Sequence, residues 1–152
     1  MRVFYAHPST EPPVAIKQAK KKVHNLIVDR MIRERGSAPA VKVVAGRDDY
    51  KRHWKGDWTL WQESVITRKD AITGKPVYDA FITKNATCGR ATANILGAAI
   101  VSGRPVFFWD GEDGFVRVKS VAVEDPEDWT DGYRICREPE QMDLFGGREA
   151  HG

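Results

Sequence analysis

The sequence is poor in cysteine and has no long apolar run. Its two cysteines, Cys88 and Cys136, are too few for a disulfide framework, which favours a reducing compartment. The longest nearly apolar run, Ala91 to Val101, contains Thr92 and Asn94 and falls far short of a membrane span. The first residues have a strand-like pattern without the layout of a signal peptide. We therefore expect a cytoplasmic protein with no membrane segment.

A strong excess of one charge is also lacking. The 24 lysines and arginines outnumber the 21 acidic residues only slightly, giving a net charge of +3, which does not require a nucleic-acid partner. The segment Lys17 to Lys22 falls on one long predicted helix with Arg30, Arg33 and Arg35, and this pattern is typical of a solvated face. We therefore expect no direct contact with DNA.

What the sequence does contain is an alternation of strand-like and helix-like segments. Strands are predicted at 2–7, 41–45, 77–83, 106–109 and 115–123, and helices at 14–35, 48–69 and 89–102. This order predicts one α/β domain over residues 1–136, with three layers and a mostly parallel Rossmann-like or flavodoxin-like sheet. The last strand alternates apolar and charged residues, which favours an antiparallel edge strand. Residues 137–152 are predicted to form a flexible tail.

A stripe of aromatic residues marks the second predicted helix. Trp54, Trp58, Trp61 and Val65 follow one another at helical spacing, despite the intervening Gly56. The stripe predicts a face that packs on the core or on a second subunit, so a homo-oligomer remains open.

The loops that follow the strands are the expected ligand site, because ligands of such sheets bind at the carboxyl ends of the strands. The loop before the third helix has small residues and a helix N-terminus, where an anion is favoured. Gly89 permits close approach to the backbone, and Lys84 and Arg90 add positive charge. Cys88 precedes this turn, where a thiolate would be stabilised.

Three segments resemble the nucleoside 2-deoxyribosyltransferase-like superfamily. They are Tyr5-Ala6-His7-Pro8, then Ala91-Thr92-Ala93-Asn94-Ile95-Leu96-Gly97-Ala98-Ala99, then Gly103-Arg104-Pro105-Val106. The resemblance covers about residues 2–109. It implies an α/β fold, a nucleoside or nucleotide ligand, and cleavage or transfer of an N-glycosidic bond.

The sequence departs from that family at its nucleophile. The family has a glutamate where this chain has Asn94, and an amide is a poor nucleophile. Three interpretations stay open: binding without cleavage, direct hydrolysis assisted by another carboxylate, or an alignment wrong by one helical turn. The replacement carboxylates considered are Asp79 and Asp110 first, then Asp48, Asp49 and Glu63.

These considerations define the candidate site residues. His7 is a candidate general base or ligand contact, alongside the catalytic candidates Asp79 and Asp110. The candidate ligand-binding residues are Tyr5, Lys84, Thr87, Gly89, Arg90, Thr92 and Asn94. Tyr5 fits either a base-stacking role or the core. The four histidines have no metal-ligand spacing, so we expect neither a metal nor a cofactor.

The tail carries a second resemblance. Gln141-Met142-Asp143-Leu144-Phe145 resembles the pentapeptide with which bacterial replication and repair proteins bind the sliding clamp. Leu144 and Phe145 would fill an apolar pocket while Gln141 bonds at its rim. The resulting hypothesis is a nucleotide-handling domain tethered to the clamp in phage-type DNA replication. The alternative is a non-catalytic accessory module that binds the clamp.

Overall fold

The computed structural model describes residues 1–138. Its strands are β1 (Arg2–Ala6), β2 (Lys42–Ala45), β3 (Ala80–Thr83), β4 (Thr87–Cys88), β5 (Val106–Trp109), β6 (Phe115–Val123) and β7 (Tyr133–Arg137). Its helices are α1 (Pro13–Arg35), α2 (Gly46–His53), α3 (Trp58–Thr67) and α4 (Arg90–Val101). The α/β class predicted from the alternation is confirmed.

The seven strands form one mixed sheet that curls into a half-barrel, in the order β2-β1-β3-β5-β6-β7-β4. The pairs β1–β2, β1–β3 and β3–β5 are parallel, whereas β5–β6, β6–β7 and β4–β7 are antiparallel. The expectation of a mostly parallel sheet is therefore wrong. Strand β6 is antiparallel as predicted, but it is not an edge strand because β7 and β4 extend the sheet beyond it.

The prediction of a single helix over residues 48–69 is wrong, because the segment forms two helices, α2 and α3, joined by a short non-helical connection. Gly56 has a φ of +79°, a left-handed conformation that favours glycine and that a helix cannot continue. Asp57 then caps α3, and its side chain accepts hydrogen bonds from the backbone N–H groups of Thr59 (2.8 Å) and Leu60 (3.2 Å).

Two strands were absent from the sequence prediction. Strand β7 alternates buried Tyr133 and Ile135 with more exposed residues, which is a strand signal, and it carries the sheet past the boundary predicted at residue 136. Strand β4 has only two residues and pairs with β7. Strand β3 begins at Ala80, three residues later than the predicted start at 77.

Apolar side chains form two separate core clusters, since successive β1 residues point to opposite faces of the sheet. Val3 and Tyr5 belong to the cluster that includes the buried face of α1. Phe4 and Ala6 belong to the cluster that includes residues of α3 and α4. Among residues 1–138, no helix is both long enough and apolar enough to span a bilayer.

Candidate functional site

A cavity of about 970 Å³ opens at the carboxyl ends of β1, β3 and β5. Ala6, Thr83 and Phe108 form its floor, each contributed by a different strand. The N-termini of α2 and α4 border it, and the segment Trp129 to Asp131 lies along its rim. This is the edge of the sheet where the sequence predicted a ligand site.

The cavity combines aromatic surface with positive charge. Its aromatic lining residues are Phe4, Tyr50, Trp58, Trp61, Phe108 and Trp129. Its charged lining residues are the cations Arg47, Lys51, Lys84 and Arg90, against the single carboxylate of Asp131. Aromatic faces accept planar rings and an excess of cations attracts an anion, so the lining suits a ligand that carries both.

At Gly89 the start of α4 contacts the segment Trp129 to Asp131, which we call the rim segment, and no side chain fits at this position. A Cβ at this position would lie 2.8 Å from the Trp129 carbonyl oxygen and 3.2 Å from that of Thr130. The next residue reinforces the contact: the Arg90 backbone N–H donates to the Trp129 carbonyl (2.9 Å), and its guanidinium lies 5.0 Å from the Trp129 ring centroid. One N–H at the start of α4 is therefore already used within the protein.

His7 lines the cavity, but both of its ring nitrogens are engaged. Nδ1 lies 2.9 Å from the Pro8 carbonyl oxygen and must donate to it, while Nε2 accepts from the Arg47 backbone N–H (3.1 Å). His7 therefore holds the β1 loop against the N-terminus of α2. The geometry assigns it a positioning role, and no ring nitrogen is left for the predicted proton transfer.

Tyr5 lies in the core instead of in the cavity. Its ring is fully buried beside α1, and its hydroxyl donates to Glu11 at 3.1 Å. Burial, together with the adjacent Glu11 carboxylate, raises the pKa of Tyr5 above its usual range. Glu11 also lies 3.6 Å from the Lys84 ammonium, which faces the cavity. Glu11 thus connects Tyr5 in the core to a cation of the site.

Besides Tyr5, three further candidate residues are not brought to the cavity. Asp79 precedes β3 at the opposite end of the sheet, where its carboxylate accepts the Arg2 backbone N–H (2.8 Å). Asp110 closes the β5–β6 turn by accepting the backbone N–H groups of Glu112 and Gly114. The Asn94 amide donates to Gln62 on α3 (2.9 Å) and does not line the cavity. Helix α4 contains no acidic residue, so an alignment shifted by one turn supplies no carboxylate either.

The remaining candidates do line the cavity: Lys84, Thr87, Gly89, Arg90 and Thr92. The Thr87 hydroxyl donates to the carboxylate of Asp131, a residue that the sequence analysis did not single out. Asp131 lies in the connection between β6 and β7, and the pairing of β4 with β7 brings that connection beside α4.

Cys88 is buried, and the expected thiolate stabilisation is wrong. Burial, with a smaller contribution from Asp131, raises the pKa of the Cys88 thiol to about 11. With a pKa of about 11, the group is a neutral thiol at physiological pH.

We therefore expect Cys88 to resist alkylation. In a Cys136→Ser variant, reaction with iodoacetamide at about pH 8 should be at least about 100-fold slower than for a free-cysteine peptide, since only the thiolate reacts. The rate should still be rising between about pH 9 and pH 11. A rate that levels off below about pH 8 would contradict the raised pKa.

The buried carboxylate of Asp49 accepts hydrogen bonds from aromatic side chains next to the cavity. In the sequence analysis Asp49 was only a secondary candidate for the missing carboxylate. Asp49 is 2% exposed and accepts hydrogen bonds from Trp61 Nε1 (2.9 Å) and the Tyr78 hydroxyl (2.6 Å). The Arg68 guanidinium completes the set as its ion-pair partner. Burial and the hydrogen bond to Asp49 raise the pKa of Tyr78. Four side chains from three segments are thereby tied together behind the cavity.

Within residues 1–138, no group of three or more histidine, cysteine, aspartate or glutamate side chains is arranged to hold a metal ion. Comparisons of the chain with models of protein families, with curated proteins and with solved structures give no match.

Proposed function

We propose that this protein binds a nucleoside phosphate in the cavity at the carboxyl ends of β1, β3 and β5. The observation that carries the proposal is the lining itself, which combines six aromatic side chains with four cations and one carboxylate. The aromatic side would take the base, and Lys84, Arg90 and the first turn of α4 would take the phosphate. The resemblance to the deoxyribosyltransferase-like superfamily supports the same ligand class.

The proposal includes a finer architecture and a location. The two separate core clusters support a three-layer, Rossmann-like arrangement in the parallel part of the sheet. The low cysteine content supports the cytoplasm.

Isothermal titration calorimetry with deoxynucleoside monophosphates and the matching nucleosides tests this proposal. We expect the monophosphates to bind more tightly than the nucleosides. The Lys84→Gln variant should lose about ten- to 100-fold in monophosphate affinity, because a hydrogen bond to a charged group contributes about 1.5–3 kcal/mol. Nucleoside affinity should change little in the same variant.

The matched control is Lys119→Gln, which removes an exposed lysine on β6 outside the cavity. Equal losses in the two variants would mean that net charge, and not the site, governs binding. Absence of heat with every nucleotide of the panel would contradict the proposal.

Hydrolysis of the N-glycosidic bond is a second candidate function, favoured by the Asp131 carboxylate in the cavity. The carboxylate can accept a proton from a water molecule as the water oxygen attacks the anomeric carbon and the glycosidic C–N bond breaks. The protonated carboxyl group can then give that proton to the departing base, which restores the carboxylate. Chromatography of free base released from nucleosides and deoxynucleotides tests this function. Release of free base that disappears in the Asp131→Asn variant would support hydrolysis. If no free base is released by the wild-type protein, hydrolysis is contradicted and ligand binding is the remaining function.

The third part of the proposal concerns the clamp-binding resemblance at Gln141 to Phe145, which lies outside the described residues. Its support is the match at all five positions. Surface plasmon resonance of the full chain on an immobilised bacterial sliding clamp should show binding that Leu144→Ala with Phe145→Ala abolishes. Binding that survives this double substitution would contradict the proposal.

A further inference from the structure

A second cavity, of about 500 Å³, lies beside β2 and is strongly basic. We call it the basic cleft; its cationic lining residues are Arg2, Lys20, Lys42, Lys51, Arg52 and Arg68. Its two carboxylates, Asp48 and Asp49, are already paired with Lys20 and Arg68 respectively. The basic cleft therefore has a net positive charge that its own acids do not neutralise.

The other cations of the basic cleft have no ion-pair partner in the part of the chain that the structure describes. Among residues 1–138, no ion pair engages Arg2, Lys42, Lys51 or Arg52. Partial burial and the charges of Arg68, Arg52 and Lys55, partly opposed by Asp49, lower the pKa of His53, which also lines the cleft. A histidine that resists protonation is consistent with a positive local potential.

Aromatic rings lie next to the basic cleft. Tyr50 stacks on Trp58 with a centroid distance of 4.8 Å and an interplanar angle of 11°, and Trp54 packs on Tyr50 at 4.9 Å. Trp58 is 56% exposed and Trp54 is 41% exposed. We call these three residues the aromatic ridge. Burying the rings of Trp54 and Trp58 would favour stability, so their exposure indicates a contact surface. Tyr50 is partly buried and packs on the core beneath them.

The basic cleft and the aromatic ridge are adjacent because the same short segment builds both. Tyr50 and Trp54 flank Lys51, Arg52 and His53 at the end of α2. Lys51 lines both the basic cleft and the larger cavity, so positive charge continues from one to the other. Cations that can contact phosphates and aromatic rings that can stack on bases thus lie within a few residues of one another.

We propose that the basic cleft and the aromatic ridge form a binding surface for single-stranded nucleic acid. Phosphates of the strand lie along Lys42, Lys51 and Arg52, and unpaired bases stack on Trp54 and Trp58. A duplex does not fit these requirements, because its base faces are covered by its own stacking. The surface shares Tyr50, Lys51 and Trp58 with the lining of the proposed nucleotide site. Lys42, Arg52 and Trp54 lie outside that lining, so substitutions there test this surface separately. The proposal departs from the expectation of no DNA contact, which was drawn from the net charge and from the basic residues of α1.

Fluorescence anisotropy of labelled oligonucleotides of about twelve residues, with the full chain in about 50 mM NaCl, tests this proposal. Oligothymidylate and oligouridylate distinguish DNA from RNA as the preferred strand, and either one binding supports the proposal. We expect Lys42→Glu with Arg52→Glu to weaken binding at least tenfold and to reduce the dependence of affinity on salt. The matched control, Lys21→Glu with Lys119→Glu, makes the same charge change outside both cavities and should stay within about twofold of wild type.

Trp54 tests the stacking component. Trp54→Ala should weaken binding by about five- to 100-fold, the cost of losing one aromatic–base stack, whereas Trp54→Phe retains a ring and most of the affinity. Circular dichroism and thermal unfolding establish that each variant is folded. The proposal is overturned if neither strand binds, if the control pair weakens binding as much as the cleft pair, if a duplex of equal length binds as tightly, or if Trp54→Ala changes nothing.

Discussion

Replacing Asp49 with alanine is expected to lower the free energy of unfolding by about 3–5 kcal/mol. The substitution leaves the partly buried Arg68 cation without its ion-pair partner and the Trp61 and Tyr78 donors without an acceptor. Urea unfolding followed by tryptophan fluorescence measures the loss, and the change in midpoint should come with little change in slope. Asp49→Asn retains one acceptor oxygen and should cost less.

The neighbouring Asp48 provides the control for this experiment. Its side chain is 53% exposed and pairs with Lys20 at 3.2 Å on the surface. Asp48→Ala should therefore cost no more than about 1 kcal/mol. If the two alanine variants are equally stable, the buried network does not support the fold as described.

Replacing Gly89 with alanine is expected to damage both stability and the site. The new Cβ would lie 2.8 Å from the Trp129 carbonyl oxygen, so the rim segment must move away from α4. Overpacking of this kind costs about 1–3 kcal/mol. Because Trp129, Thr130 and Asp131 line the cavity, calorimetry should also show weaker nucleotide binding.

Gly97 is the matched control, since it lies in the same helix and a Cβ there meets no atom within 4 Å. Gly97→Ala should stabilise the protein by about 0.5–1 kcal/mol, because alanine loses less conformational entropy in a helix. A Gly89→Ala variant as stable as wild type, with unchanged nucleotide binding, would show that the rim segment is not held against α4.

Much of the fold was accessible from sequence because local patterns encode it. The buried runs of β1 and β5 and the helical spacing of α1 and α4 each gave the correct element within a few residues. The curl of the sheet was not accessible. It depends on β6 and β7 pairing beyond β5 and on β4 joining them, and long-range pairing leaves little trace in so short a strand as β4.

The candidate site was predicted best where it depends on chain order. Loops that follow parallel strands meet at one edge, which placed Lys84, Thr87, Gly89, Arg90 and Thr92 together. The incorrect placements of Tyr5 and Asp79 have structural causes: the direction of a side chain relative to the sheet, and the position of a residue relative to its strand. Tyr5 and Phe4 are neighbours in sequence but face opposite sides of the sheet, and Asp79 lies before its strand instead of after it. Asp131 was missed because tertiary pairing alone brings it to the cavity.

The most direct test of the central claim is a nuclear magnetic resonance titration of the ¹⁵N-labelled protein with a deoxynucleoside monophosphate. The account predicts that the largest amide shift changes fall on cavity residues, among them Lys84, Gly89 and Thr92, while Asp79 and Asp110 stay unchanged. Shift changes that are absent, or that concentrate on Arg2, Lys42 and Arg52 in the basic cleft, would contradict a nucleotide site at the carboxyl ends of the strands.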